Sequence, residues 1–219
     1  MPLYGIVGAG GFGREVMPVA LEMLTAVHQT PDFEIVFVVE YGETDPVNGH
    51  RVITVDEFLA ADQEKHFNIA IADYKVRERI AKTLIAGGVS PFSITAPNRV
   101  CMSGNEIGQG AILCPFTTIT SNARIGQFFH ANIYSYVAHD CRIGDFVTFA
   151  PNVHCNGRVI VEDYAYIGTG AMIKEGADEK PIIIGCGAVV GMGAVVTKSV
   201  PPFTTVIGNP AVPLEKKQR

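Results

Sequence analysis

From Ile107 onward an apolar side chain returns at every sixth residue. The series runs Ile107, Leu113, Ile119, Ile125, Ala131, Val137, Ile143, Phe149, Cys155, Val161, Ile167 and Ile173. After a five-residue insertion near GADEKP it resumes at Ile184, Val190 and Val196. The next position is often glycine, as at Gly108, Gly126, Gly144, Gly168, Gly185 and Gly191. The fifth is mostly small: Ala111, Ala123, Ser135, Cys141, Ala165, Ala171, Ala188 and Ala194. No α-helix has a period of six, and simple strand alternation would not tie glycine to one phase. Short strands turned at small residues, three to a coil, satisfy both, which predicts a parallel β-helix of about five coils.

The first ~95 residues follow another pattern, apolar strands alternating with helical spacing. LYGIVG (3–8) reads as a buried strand. Val16, Val19, Ala20, Met23, Leu24 and Val27 predict a helix over 13–27. FEIVFVV (33–39) and HFNIAIA (66–72) are further strands, and VRERIAKTLIAGG (76–88) a helix stopped by Gly87 and Gly88. These elements predict a small α/β sheet with parallel strands. Two domains follow, 1–95 and 96–219.

GAGGFG (8–13) follows a predicted strand and precedes a helix, the context a phosphate-binding turn requires. Gly8, Gly10, Gly11 and Gly13 would let the backbone approach a diphosphate at a helix N-terminus. Glu40, just past the second strand, is placed to hold a ribose or base. Arg77 in VRERI adds charge to such a site, and fits equally a solvated helix position. GxGxxG alone also fits NAD and an oxidoreductase. The domain ends before the second half of a dinucleotide sheet, so a mononucleotide half-site fits better.

Composition narrows the classes. The net charge of -5 gives no basic surface for nucleic acid. No apolar run is long enough to span a bilayer, and MPLYGIVGAGG lacks the layout of a signal peptide. Five cysteines without a CxxC pair argue against a disulfide framework or a cysteine zinc site. The cytoplasm is the expected compartment. Phe128, Phe129, Tyr134, Tyr136 and Phe146 are expected on outer faces of the prism, packed against other subunits in a cyclic trimer.

YSYVAHDCRIG (134–144) interrupts the apolar grammar. Val137 and Cys141 take the inward phases, so His139 should project outward. A neutral imidazole suits removal of a proton from an attacking amine or hydroxyl. The carboxylate of Asp140 could fix its tautomer and stabilise the imidazolium. Adjacent residues on a strand point to opposite faces, so the pair requires the backbone to turn here. A surface or interface histidine is the plain alternative. His130 and His154 lie one coil plus one face apart and His139 sits in a different phase, so no two stack on one face and no metal site is predicted. Cys141 and Cys155 read as core filler.

The hexapeptide series and VVGMGAVVTKSVPPFTTVIGNPA (189–211) resemble left-handed β-helix acyltransferases. GAGGFG (8–13), IAIADYKVRERI (69–80) and HANIYSYVAHDCRIGDF (130–146) resemble one branch, the NeuD/PglD-type sugar acetyltransferases. The resemblance covers nearly the whole chain. It implies a left-handed β-helix after a Rossmann-like domain that holds a nucleotide sugar. It also implies acetyl-CoA in a groove between subunits and transfer without a covalent enzyme intermediate. Carried over, the base is His139 with Asp140 as its partner, and Asn132 lies near the reacting centre. CoA-groove positions fall at Ala150, Gly157, Gly168, Thr169, Gly191 and Met192. Lys198 fits a CoA phosphate or a plain surface position. Three positions depart from the pattern: Val39-Glu40 replaces an acidic pair, Thr148 a second histidine, and Ala96-Pro97 a His-Pro. The expected activity is acetyl transfer to the amino group of a nucleotide-linked, 4-amino-6-deoxy sugar for surface glycans. O-acetylation of sialic acid or another sugar hydroxyl, and a non-catalytic nucleotide-binding scaffold, are the alternatives.

Overall fold

The computed structural model describes residues 1–28, 32–42 and 44–215. The final four residues of the second predicted domain lie outside them. The chain divides into two compact units: Met1–Pro97 with Gln109–Ile112, and Asn98–Gly108 with Leu113 onward.

In the first unit the order is β1 (Leu3–Val7), α1 (Gly11–His28), β2 (Glu34–Val39), β3 (Val52–Thr54), α2 (Val55–Ala60), β4 (Lys65–Ile69), α3 (Tyr74–Ala86) and β5 (Ser90–Pro91). The five strands form one parallel sheet, ordered β3-β2-β1-β4-β5. All five residues of β1 are buried, as a central strand covered on both faces requires. The apolar stripe of α1 buries Val16, Met17, Ala20 and Leu24. Chain direction across the sheet reverses between β1 and β4, which opens a crevice at the carboxyl ends of the strands.

Three short elements, β3, α2 and β5, escape the hydrophobic pattern. Of these, α2 carries a complete capping box: Thr54 Oγ1 accepts from the Glu57 N–H at 3.2 Å, and the Glu57 carboxylate accepts from the Thr54 N–H at 2.7 Å. The strand predicted over 66–72 ends at Ile69, because Asp73 caps α3 two residues earlier than its apolar spacing indicates. Its carboxylate accepts from the N–H groups of Lys75 and Val76.

The second unit is the prism that the six-residue period predicts. Its strands are mostly two residues long and stack in three sheets, parallel except for the closing pair Thr205–Ile207 and Val212–Pro213, with register steps such as Tyr136↔His154, Arg142↔Ile160 and Thr148↔Tyr166. Every member of the period-six series except Ile107 is buried. Each large aliphatic one contributes roughly 1.5–3 kcal/mol, so an ionisable side chain in that phase would be costly. The five-residue insertion is absorbed by a turn in which Ala177 and Lys180 exchange backbone hydrogen bonds, and the ladder resumes with Ile160 against Ile183.

Each corner places a residue in the left-handed region, one every six: Phe116, Asn122, Phe128, Tyr134, Asp140, Phe146, Asn152, Arg158 and Tyr164, at φ between 52° and 64°. Bulky residues are strained there. Two corners offset this by stacking, Phe116 on Tyr134 at 5.1 Å in one, Phe128 on Phe146 at 5.1 Å and Phe146 on Tyr164 at 6.0 Å in the other. The third carries Asn122, Asp140 and Arg158 instead. The aromatic stacks correct the expectation that Phe128 and Phe129 face other subunits. Phe128 is 1% exposed, and Phe129 is a core residue packed edge-on against Phe149. Of the five aromatics read as interface residues, only Tyr134 is exposed.

Candidate active site

The polar corner holds the most reactive cluster of the prism. His139 leaves the strand Tyr136–Val137, and Asp140 turns the corner at φ 59°. That turn swings the carboxylate back to the ring, and Asp140 Oδ2 lies 2.8 Å from His139 Nδ1. Hydrogen bonding to His139, helped by Asn122 Nδ2 at 3.4 Å, holds the Asp140 carboxyl below its ordinary value of 3.8. It is therefore ionised at neutral pH. Gly157, one coil further on, lies directly under the imidazole: a β-carbon there would sit 2.5 Å from Cε1 and 2.6 Å from Nε2. The histidine thus rests on bare backbone, with Nδ1 held by Asp140.

Three charged residues with no mark in the sequence pattern complete the corner. Glu175 Oε1 lies 3.7 Å from His139 Nε2 and 2.8 Å from Arg158 Nη1, and Arg158 Nε also bonds Asp178. No apolar signal marks Glu175, which stands in the same outward phase as His139 and Gly157, two coils beyond the first and one beyond the second. Asp140, Arg142, Arg158 and Asp178 line a cleft of about 270 Å³ beside the pair.

Asn132, expected near the reacting centre, and the remaining acetyl-CoA positions lie elsewhere on the prism. Asn132, Ala150, Gly168 and Gly191 follow successive strands of another sheet, and Thr169 and Met192 sit at its turn. Asn132 Oδ1 accepts from the adjacent Ile133 N–H. The N–H groups of Asn132, Ala150, Gly168 and Gly191 donate to Phe149, Ile167, Val190 and Val206 of the next coil. Those four amides are committed to the ladder. Met192 is 81% exposed. Within one subunit, then, His139, Asp140 and Gly157 come together, and the other six do not join them. Lys198 lines a separate cleft of about 690 Å³ with Lys174 and Lys180.

In the first unit the four glycines of 8–13 divide by role. Gly8 adopts φ 102°, and a β-carbon on Gly13 would fall 1.8 Å from the Gly8 carbonyl oxygen, so both are demanded by the turn. Nothing stands within 4 Å of a β-carbon on Gly10 or Gly11, which border open space. Val7, Gly8, Val39, Glu40, Tyr41 and Ile71 line a cleft of about 140 Å³ at the strand ends. Glu40 is paired bidentately with Arg79, at 2.5 and 3.0 Å, a partner not identified from sequence. That fork holds the Glu40 carboxyl below its usual 4.5.

Arg77 is fully buried, which corrects its reading as either a solvated or a ligand-facing residue. Its Nη1 donates to the carbonyls of Ile71 and Ala72, at 2.8 and 3.3 Å. Burial pushes its pKa down to about 9, leaving it charged at neutral pH. It holds the loop that walls the cleft. Among the described residues no three His, Cys, Asp or Glu side chains are grouped to hold a metal ion, and no helix is long and apolar enough to cross a membrane.

Residues 5–84 match the PglD N-terminal domain family. Over 212 residues the chain is 51% identical to the GDP-perosamine N-acetyltransferase of Escherichia coli O157:H7, spanning 96% of each protein. The structure of WeeI from Acinetobacter baumannii AYE matches with a TM-score of 0.91 and 49% identity, over 98% of this chain and 100% of that one. PerB from Caulobacter crescentus, crystallised with CoA and GDP-perosamine, matches with a TM-score of 0.82 and 25% identity over 97% of each chain. A left-handed β-helix acetyltransferase with a small N-terminal α/β domain is the class these features define. The chain belongs to the PglD-type family of sugar acetyltransferases.

Proposed function

We propose that this protein transfers an acetyl group from acetyl-CoA to the 4-amino group of GDP-perosamine or a closely related nucleotide-linked amino sugar. The observation that carries the reading is end-to-end similarity, at 51% identity, to a GDP-perosamine N-acetyltransferase. The His139–Asp140 pair supplies chemistry to match.

In this reading His139 Nε2 takes a proton from the acceptor amine. Asp140 on Nδ1 keeps the opposite nitrogen unprotonated and stabilises the imidazolium that forms. The amine nitrogen bonds to the thioester carbon, the C–S bond breaks, and the proton on His139 returns to the departing CoA sulfur. Gly10 and Gly11 border the diphosphate, and Glu40 with its Arg79 fork holds the nucleoside. Lys174, Lys180 and Lys198 offer cationic partners to the phosphates of CoA. The His139 corner and the edge bearing Asn132, Ala150, Gly168, Thr169, Gly191 and Met192 belong to different parts of one prism. A homotrimer, in which one subunit's corner meets a neighbour's edge, reconciles them, and the exposed Met192 and Tyr134 are consistent with it. The protein would work in the cytoplasm, where acetyl-CoA and nucleotide sugars are made.

Thiol release from acetyl-CoA, followed with GDP-perosamine, UDP- and dTDP-linked 4-amino sugars and sialic acid, tests this directly. Turnover on a GDP-linked amino sugar, reduced about 10²–10⁴-fold in His139→Ala, is expected. Turnover on sialic acid alone would replace the proposal with O-acetylation. CoA binding without turnover on any acceptor would favour a scaffold.

A further inference from the structure

We propose that Glu175 selects a cationic acceptor nitrogen and so makes the enzyme an N- rather than an O-acetyltransferase. The inference rests on His139 being the base, as proposed above.

Since Asp140 engages Nδ1, Nε2 is the ring atom left to meet an acceptor. Glu175 Oε1 stands 3.7 Å from it, too far for a hydrogen bond between them. An atom placed about 2.9 Å from both completes a triangle with that edge. An ammonium group fits the vertex, with one N–H on the carboxylate and another on the imidazole. Arg158 holds Oε1 in place from the other side at 2.8 Å, and itself bonds Asp178. Glu175 and Asp178 both bond Arg158, and with Asp140 they outnumber the two arginines of this corner, Arg142 and Arg158, by one negative charge, which favours a cation. Gly157 closes the face beneath the ring, so the acceptor approaches along the edge where Glu175 stands.

The chemistry uses this charge twice. A 4-amino sugar arrives largely as its ammonium, and after one proton leaves, the nitrogen becomes positive again as it bonds the thioester carbon. Over the whole reaction the ammonium loses two protons, one to the CoA sulfur as the C–S bond breaks and one to solvent. Glu175 neither takes up a proton permanently nor forms a bond; it stabilises positive nitrogen before and during attack. A sugar hydroxyl brings no positive charge and gains nothing from it.

The test compares Glu175→Gln, which keeps size and fold, with wild type on two ligands. One is GDP-perosamine as substrate, the other the same GDP-sugar with a hydroxyl at the 4-position, as a competitive inhibitor. The KM for the amine should rise about tenfold, with Ki for the hydroxyl compound and Kd for CoA within twofold. Glu175→Asp should recover part of the preference. An unchanged KM would overturn the inference, and so would equal weakening of both ligands, which marks simple loop damage. Failure of wild type itself to acetylate GDP-perosamine would bring down the substrate assignment, and this inference with it.

Discussion

The imidazole of His139 and the carboxylate of Asp140 are in contact at 2.8 Å although the two residues are adjacent in a β-rich segment. Alternation along a strand would send them to opposite faces. The left-handed conformation of Asp140 at the corner removes that obstacle, and aspartate tolerates such φ values better than most residues. Asparagine does too. Asp140→Asn should therefore keep the wild-type melting temperature while lowering kcat about 10²-fold, because the carboxylate that stabilises the imidazolium is gone. Asp140→Ala should lose both activity and thermal stability, since alanine has neither the charge nor the ease in this conformation. A melting curve and a rate for each variant separate the two effects.

Gly157 offers an independent check on the position of the ring. Its substitution by alanine puts a methyl group within 2.6 Å of Nε2, and the imidazole must move. Displacement by an ångström is enough to cost about 10²-fold in rate. Gly157→Ala should reduce kcat by at least that amount, with CoA affinity within a few-fold of wild type. Full activity in this variant would mean that the ring does not work from the position seen here.

The repeat was legible because burial in a β-helix is strictly periodic: one inward aliphatic per six residues leaves a signal that nothing else produces. His139 stood out for the same reason, as an ionisable residue outside the inward phases. Arg79 and Glu175 did not, because their importance lies in what the fold brings near them. Arg79 meets Glu40 across 39 residues, and Glu175 reaches His139 from two coils away. Arg77 shares the helical stripe of Ile80, Ala81 and Leu84 and is buried against carbonyls, whereas Arg79 lies off that stripe and forks onto a carboxylate. Phe128 was misread because a corner position at positive φ, stacked on its neighbour one coil away, is not a flat outer face.

Arg77 should matter more to stability than its place in a charged helix implies. Truncation to alanine empties a fully buried site and leaves the carbonyls of Ile71 and Ala72 without this donor. A loss of about 3 kcal/mol is expected from urea denaturation of Arg77→Ala. GDP affinity should fall alongside, as Ile71 walls the cleft next to Gly8.

The Glu40–Arg79 fork ties the cleft at the strand ends to pH. Arg79 lowers the folded pKa of Glu40 below its ordinary 4.5, so the unfolded chain binds the proton more readily. The stabilisation is fully present above pH 4.5 and is lost as pH falls through the lower, folded value. Both partners are partly solvated, so the effect is modest and screened by salt. Melting temperatures of wild type and Glu40→Gln, measured from pH 7 down to pH 3 at low ionic strength, should differ most at the neutral end and converge in acid. GDP binding should be weaker in Glu40→Gln at pH 7 if the carboxylate also contacts the nucleoside. A melting gap with no change in GDP affinity would leave the fork as a strut between β2 and α3 alone.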